Sequence, residues 1–138
     1  MTKEEIFEYI TKNPMFSLAT VENNKPHVRY MMLFRADDNG VIFMTTALKD
    51  LYKQLQANPA IEMCFGKADE LFQIRISGSV EEMDDLGLKK EIVEQLPFLK
   101  PLVEEKGYEV IITFRVKEPK ALCWSMESNF EPKKYIEL

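Results

Sequence analysis

The sequence is poor in the residues from which a protein builds self-sufficient chemistry. Its 138 residues hold one histidine (His27), two cysteines (Cys64 and Cys123) and one tryptophan (Trp124). One imidazole and two separated thiols cannot furnish a multi-histidine or cysteine-rich metal site, and they rule out a disulfide framework. No apolar run approaches the roughly 18 residues that would suggest a bilayer span. The opening Met1-Thr2-Lys3-Glu4-Glu5 is polar rather than signal-like. Together with unclustered cysteines, this points to a reducing, cytoplasmic setting. Positive charge is also short: 18 Lys+Arg against 23 Asp+Glu leave a formal charge of −5, with no basic block. Neither nucleic acid nor a membrane is therefore expected as partner. What remains is a chain with 46% hydrophobic residues, sufficient for one core, whose chemistry must come from something it binds.

No repeat, low-complexity tract or Gly/Ser linker divides residues 1–138, which read as a single domain. Thr2 and Glu5 form a capping box ahead of Ile6, Phe7 and Ile10, so residues 2–12 are expected to be an amphipathic helix stopped by Asn13-Pro14. Phe16 to Val21 reads as a strand. From Pro26 the pattern has period two, with Val28, Tyr30, Met32 and Phe34 alternating against His27, Arg29, Met31, Leu33 and Arg35. Asp37-Asp38-Asn39-Gly40 then turns into a strand from Val41 to Thr45, completing a three-stranded antiparallel meander. Thr46 to Asp50 is expected to open a helix of about three turns, with Leu48, Leu51, Tyr52 and Leu55 on its apolar face and Asn58-Pro59 as its stop.

Further strands are expected at Ile61 to Phe65 and Leu71 to Val80, the latter interrupted at Gly78 by a bulge or bend. Asp84-Asp85 caps a helix bearing Leu88, Ile92, Val93 and Leu96, and a short helical piece ends at Gly107. Tyr108 to Val116 and a shorter run around Ala121 to Met126 read as the last two strands. The expected fold is mainly β: about six antiparallel strands in a closed or nearly closed barrel with peripheral helices, since closure removes exposed edges.

Few residues stand out as carriers of chemistry. Thr45 and Thr46 end a strand where a helix begins, and such a terminus offers unpaired amides and a favourable dipole to an anion. Lys49 and Lys53, four residues apart, add two cations on one face. From the spacing alone, a threonine cap beside two solvated lysines is the more ordinary reading. Arg29 lies in an apolar strand and, if it faces inward, requires an anionic partner; outward it is ordinary. Gln73, Arg75 and Ser77 share a face with the same ambiguity, and the amide of Gln73 can both donate and accept. His27 follows a turn and reads as a surface residue. Cys64 and Cys123 read as small buried hydrophobes, and Trp124 as either core or the cover of a ligand ring.

The order of these segments is familiar. Phe16-Ser17-Leu18-Ala19-Thr20, Pro26-His27-Val28-Arg29-Tyr30, Phe43-Met44-Thr45-Thr46, Leu55-Gln56-Ala57-Asn58-Pro59, Gln73 to Val80 and a final tryptophan strand together resemble the pyridoxamine 5′-phosphate oxidase-like flavin-binding split barrels. The likeness is strongest to small bacterial members near the nitroimidazole-resistance reductases, and it spans essentially the whole chain. It implies a six-stranded Greek-key split barrel that pairs as a homodimer, with flavin mononucleotide (FMN) at the subunit interface. It also implies that Arg29, Tyr30, Met31 and Met32 run along the isoalloxazine, largely through backbone groups, with Arg29 able to reach the phosphate or the ring's polar edge, that Thr45 and Thr46 meet the phosphate, that Gln73 reaches the flavin, in many members from the other subunit, and that Trp124 flanks the ring.

Two departures from true oxidases are informative. Where they carry Ser-Arg-Lys at the helix start this chain has Lys49-Asp50-Leu51, so Lys49 and Lys53 become the phosphate cations. The tail Phe130-Glu131-Pro132-Lys133-Lys134-Tyr135-Ile136-Glu137-Leu138 offers no counterpart of the arginine and histidine that hold pyridoxal phosphate. The resemblance therefore implies a small FMN-dependent oxidoreductase with a small-molecule electron donor or acceptor, rather than a pyridoxamine phosphate oxidase. The alternative is a non-catalytic flavin- or haem-binding module, with His27 as the available axial imidazole, or a plain interaction domain.

Overall fold

A computed structural model describes residues 1–138. Eight strands form one antiparallel sheet that curls around the core, namely β1 (Met15–Glu22), β2 (Lys25–Met32), β3 (Arg35–Asp37), β4 (Gly40–Thr46), β5 (Ala60–Lys67), β6 (Phe72–Met83), β7 (Ile111–Ser125) and β8 (Tyr135–Glu137). Their order across the sheet is β2-β1-β5-β6-β7-β4-β3, with β8 added alongside β7. The path ends at β2 on one side and β3 on the other, so the barrel is split rather than closed. β2 pairs only with β1 and keeps one edge free along its length.

Alternation decides what faces inward. Phe16 and Leu18 of β1, Val41 and Phe43 of β4, Ile61, Met63 and Phe65 of β5, Ile74 and Ile76 of β6, and Ile112, Phe114 and Val116 of β7 fill the barrel. The Phe16 ring lies 5.9 Å from Phe43 in an edge-on contact, and Phe43 lies 5.6 Å from Phe114. Helix α1 (Lys3–Lys12) starts with the expected capping box between Thr2 and Glu5 and contributes Ile6 and Ile10 to this core. Helix α2 (Asp50–Ala57) contributes Leu51 and Leu55. A second, smaller core lies outside the sheet, where α3 (Leu86–Gln95) and α4 (Lys100–Lys106) cover Ile42 and Ile111. Asp85 caps α3 by accepting a hydrogen bond from the Leu88 amide, and Gly107, at φ +81°, ends α4.

Several expected boundaries move. The run from His27 to Arg35 is two strands, because the chain leaves β1 at Leu33, whose amide bonds Pro14, and joins β4 at Phe34, whose amide bonds Ile42. Residues 108–110 form a single 3₁₀ turn rather than the start of a strand. The two final runs fuse into one 15-residue strand, since pairing with β6 continues through a register shift at Ser77/Ser79. Gly78 marks that shift as the sequence suggested: a β-carbon there would sit 2.7 Å from the Lys117 carbonyl oxygen. No helix is long and apolar enough to cross a membrane.

Candidate functional site

The split end of the barrel holds the most unusual charge in the molecule. Arg29 lies opposite Leu18 in the β1–β2 ladder, and its side chain follows the inward phase of the strand. Its Nη1 donates to the Leu18 carbonyl at 3.2 Å and to Thr20 Oγ1 at 2.8 Å, and its Nη2 donates to Gln54 Oε1 at 2.5 Å. Thr20 in turn donates to the same Gln54 oxygen at 2.8 Å. Every partner is neutral. The other three arginines each meet a carboxylate, Arg35 with Glu91, Arg75 with Glu62 and Arg115 with Glu81. Arg29 is the exception, a half-buried guanidinium that forms no ion pair. Burial without a counter-charge pulls its affinity for the proton below the ordinary arginine value.

Helix α2 stands beside this group and packs against both β1 and β4. It is shorter than the sequence suggested. Thr46 is the last residue of β4, Ala47 to Lys49 form a turn, and the helix runs from Asp50 to Ala57. No threonine caps it: Lys49 occupies the cap position and makes no side-chain cap bond. Leu48, expected on the apolar face, is exposed instead, because it precedes the helix. Lys49 and Lys53 are both exposed and unpaired, with Asp50 between them. Thr45, by contrast, is 2% exposed, and its hydroxyl is buried without any hydrogen-bond partner. A buried orphan hydroxyl costs about 1–3 kcal/mol, so its place is explained best by a partner that arrives from outside the chain. Tyr30, Met31 and Met32 complete this side along the free edge of β2, with Met31 packed on the core and Tyr30 81% exposed.

Gln73 and Trp124 lie elsewhere. They oppose each other across the β6–β7 ladder on the outer face of the sheet. The Cys64 thiol donates weakly to Gln73 Oε1 at 3.5 Å, and the Trp124 indole N–H donates to Asn129 Oδ1 at 2.8 Å. A cavity of about 390 Å³ opens here beneath the segment 128–134, lined by Arg75, Leu122, Trp124 and Lys134 among others. Burial raises the Cys64 thiol above its ordinary range, with Arg75 opposing the shift and Glu62 adding to it. Burial likewise raises Cys123, against the pull of the amino terminus. Neither thiol is poised as a nucleophile. His27 is half-buried on the phase of Arg29, opposite Thr20.

One chain therefore gathers Arg29, the β2 edge and α2 at the split, and keeps Gln73 and Trp124 on the other face of the sheet. Sequence reasoning missed Thr20 and Gln54, although both left a signal. Thr20 continues the buried phase of Phe16 and Leu18, and Gln54 interrupts the apolar stripe of Leu51 and Leu55.

Comparison with known proteins gives this geometry a lineage. The family model described as pyridoxamine 5′-phosphate oxidase matches residues 2–123. A pyridoxine/pyridoxamine 5′-phosphate oxidase of Actinobacillus succinogenes is 32% identical over 85 residues, which make up 61% of this chain and 40% of that protein. The chain thus spans well under half the length of that oxidase. Among solved structures, a NimC/NimA family protein from Clostridium acetobutylicum superposes with a TM-score of 0.78 at 20% identity, covering 99% of this chain and 93% of that one. An FAD-binding protein of Mesorhizobium loti gives 0.61 at 16%, covering 91% and 96%. The family model and the shared fold agree, and the chain belongs to the pyridoxamine 5′-phosphate oxidase family, a family of flavin-binding, oxidoreductase type.

Proposed function

We propose that the protein binds FMN and works as a small oxidoreductase in the form of a homodimer, without pyridoxamine phosphate oxidase activity. The observation that carries this reading is the uncompensated charge of Arg29 at the open edge of the barrel, joined by the orphaned hydroxyl of Thr45. Both want an anionic, oxygen-rich group, and a phosphate monoester supplies several strong acceptors. Arg29, Thr45, Thr46, Lys49 and Lys53 would hold the phosphate, and the free edge of β2 from Tyr30 to Met32 would present backbone groups to the polar rim of the ring.

Flavin, when bound, supplies hydride or single-electron transfer through its N5. The chain's own part is to bind and orient. Met31, packed on the core, would keep water from one side of the ring, and the neutral partners of Arg29 leave its positive charge available. No residue is needed as a general acid, in keeping with a sequence that has one histidine. A small molecule serves as electron donor or acceptor.

Two features support pairing. Gln73 and Trp124 are on the opposite face of the sheet from Arg29, so a site that uses them all draws on two copies. Val28, Tyr30, Met32 and Met15 also stand 71%, 81%, 55% and 51% exposed, on the outer face of β1 and β2. Such an apolar surface on adjacent strands is typical of an interface. Freshly purified protein is expected to be yellow, with a flavin absorbance spectrum and dimer mass by light scattering. Colourless protein that shows no saturable FMN binding by fluorescence quenching would overturn the reading. Reduction of the bound flavin by NADH or NADPH and its reoxidation by an added quinone or nitro-compound would separate an enzyme from a simple binder.

A further inference from the structure

Gln54 is the only polar residue of α2 that is buried, at 7% exposure. Two donors, the Arg29 guanidinium and the Thr20 hydroxyl, converge on its oxygen, so the amide can adopt only one of its two orientations. Thr20 is equally constrained. Its oxygen accepts from Arg29 while its proton goes to Gln54, which leaves the hydroxyl no freedom to turn. The guanidinium has five N–H donors, of which the Leu18 carbonyl, Thr20 and Gln54 take three. The remaining two, including the Nε–H, are unassigned.

A glutamate at the same position would reach the same atoms with the same geometry and would turn Arg29 into an internal ion pair like those of Arg35, Arg75 and Arg115. A leucine would continue the stripe of Leu51 and Leu55 but leave the cation without its anchor. Glutamine does neither. It fixes the guanidinium in direction and leaves its charge uncancelled.

We infer that Gln54, with Thr20 behind it, is a positioning residue that sets the charge of the cofactor pocket and thereby makes the chain select phosphorylated over unphosphorylated flavin. This inference rests on the FMN reading above. The mechanism is differential: a phosphate dianion gains from a cation held by neutral acceptors, whereas an uncharged ribityl end gains nothing from it. If a carboxylate replaced the amide, the incoming phosphate would meet a neutralised pair and lose that advantage.

The decisive measurement is the dissociation constant of FMN and of riboflavin, by fluorescence quenching, for the apo-forms of the wild type, Q54E, T20V and T20S, each with its thermal midpoint. The wild type should prefer FMN. Q54E should weaken FMN at least tenfold and leave riboflavin within about twofold, with a thermal midpoint equal to or above that of the wild type because the introduced carboxylate pairs with Arg29. T20V should weaken FMN several-fold and spare riboflavin, and T20S, which keeps the hydroxyl, should restore FMN binding. A folded Q54E with the wild-type ratio of affinities would overturn the inference, as would equal weakening of both flavins, which would place Arg29 at the ring. Should Q54E fail to fold, an unchanged ratio in T20V would overturn it as well. A wild type that binds the two flavins equally would instead sink the phosphate reading itself.

Discussion

The split end of the barrel and the outer face of β5 and β6 each hold an arginine in a half-buried setting, and they resolve the same physical problem in opposite ways. On the outer face Arg75 Nε donates to Glu62 at 2.5 Å, and its charge is spent within the chain. That bond, first among several causes, holds the guanidinium proton more firmly than usual. At the split, Arg29 rests on a carbonyl, a hydroxyl and an amide. A cation is costly to bury unless it is paired, and an arginine that forgoes pairing while carboxylates serve all its fellows marks the place where a ligand completes the electrostatics. Where an ion pair closes within the fold, the charge supports structure. Where it stays open, the charge is available for recognition.

Removing the two kinds of arginine separately should have unequal consequences. Arg29→Ala should weaken FMN by about 10–100-fold, taking about 1.5–3 kcal/mol for hydrogen bonds to a charged group and about 1.4 kcal/mol per tenfold. Stability should suffer less, since Thr20 and Gln54 still satisfy each other. Arg115→Ala, which breaks the half-exposed pair with Glu81, should leave FMN affinity unchanged and cost at most about 1 kcal/mol in chemical denaturation. Equal effects of the two on FMN binding would erase the distinction.

A smaller effect is expected at Thr45, where the two states of the protein should respond in opposite directions. Thr45→Val removes a buried hydroxyl that has no partner, so the ligand-free protein should be at least as stable as the wild type. FMN should nonetheless bind about five- to tenfold more weakly, the equivalent of about 1 kcal/mol for one hydrogen bond. Thermal melts with and without FMN read both signs in a single series.

Much of the fold is legible in the sequence because alternation and punctuation are local properties. Thr2 with Glu5, the Gly78 shift and the Asp85 cap lie where sequence places them. The errors cluster where tertiary pairing overrides local pattern. Thr46 to Lys49 reads as the opening of the helix, yet the turn that carries Ala47 onto the Val110 carbonyl delays it to Asp50. The runs ending at Val116 and beginning at Ala121 read as separate strands, and the backbone does bend between them, at Glu118 with φ +48°. Yet β6 runs alongside both halves and keeps them one strand. The site is half visible. Alternation alone leaves Arg29 two possible orientations and cannot choose between them; the inward one is observed. Its neutral partners leave only faint signals: Thr20 reaches Arg29 through the β1–β2 pairing, and Gln54 reaches it when α2 docks on β1.

The lysines at the mouth of α2 offer a milder test. Lys49→Ala with Lys53→Ala should weaken FMN about two- to fivefold, from about 0.5–1 kcal/mol expected of exposed charges. The loss should shrink toward nothing as salt is raised, because solvent-exposed pairs are screened. The contribution of Arg29, half-buried, should persist in salt. An isothermal titration series at two ionic strengths distinguishes them.

The smallest expected effect probes the closed side of the comparison. Cys64 opposes Arg75 across the β5–β6 ladder, and an unpaired arginine there would favour the thiolate. Burial is the larger influence and Glu62 offsets part of the pull of Arg75, so the thiol holds its proton above its usual value of 9.0. Burial also raises Cys123. The folded protein then holds these protons more tightly than the unfolded chain does. Stability from them is fully present below the unfolded value of 9.0 and is lost as pH rises through the folded values. Stability should accordingly decline above pH 9.0, before the raised hydroxyls of Tyr9 and Tyr52 begin to titrate beyond their usual 10.0, and Cys64→Ala with Cys123→Ala should flatten that decline. Glu62→Gln should expose the balance directly. With Arg75 released from its partner, the Cys64 thiolate becomes more favourable, and the alkylation rate of Cys64 should begin to climb at a lower pH than in the wild type. An unmoved profile would mean that Glu62 does not neutralise Arg75, and the division between closed and open charge would have to be redrawn.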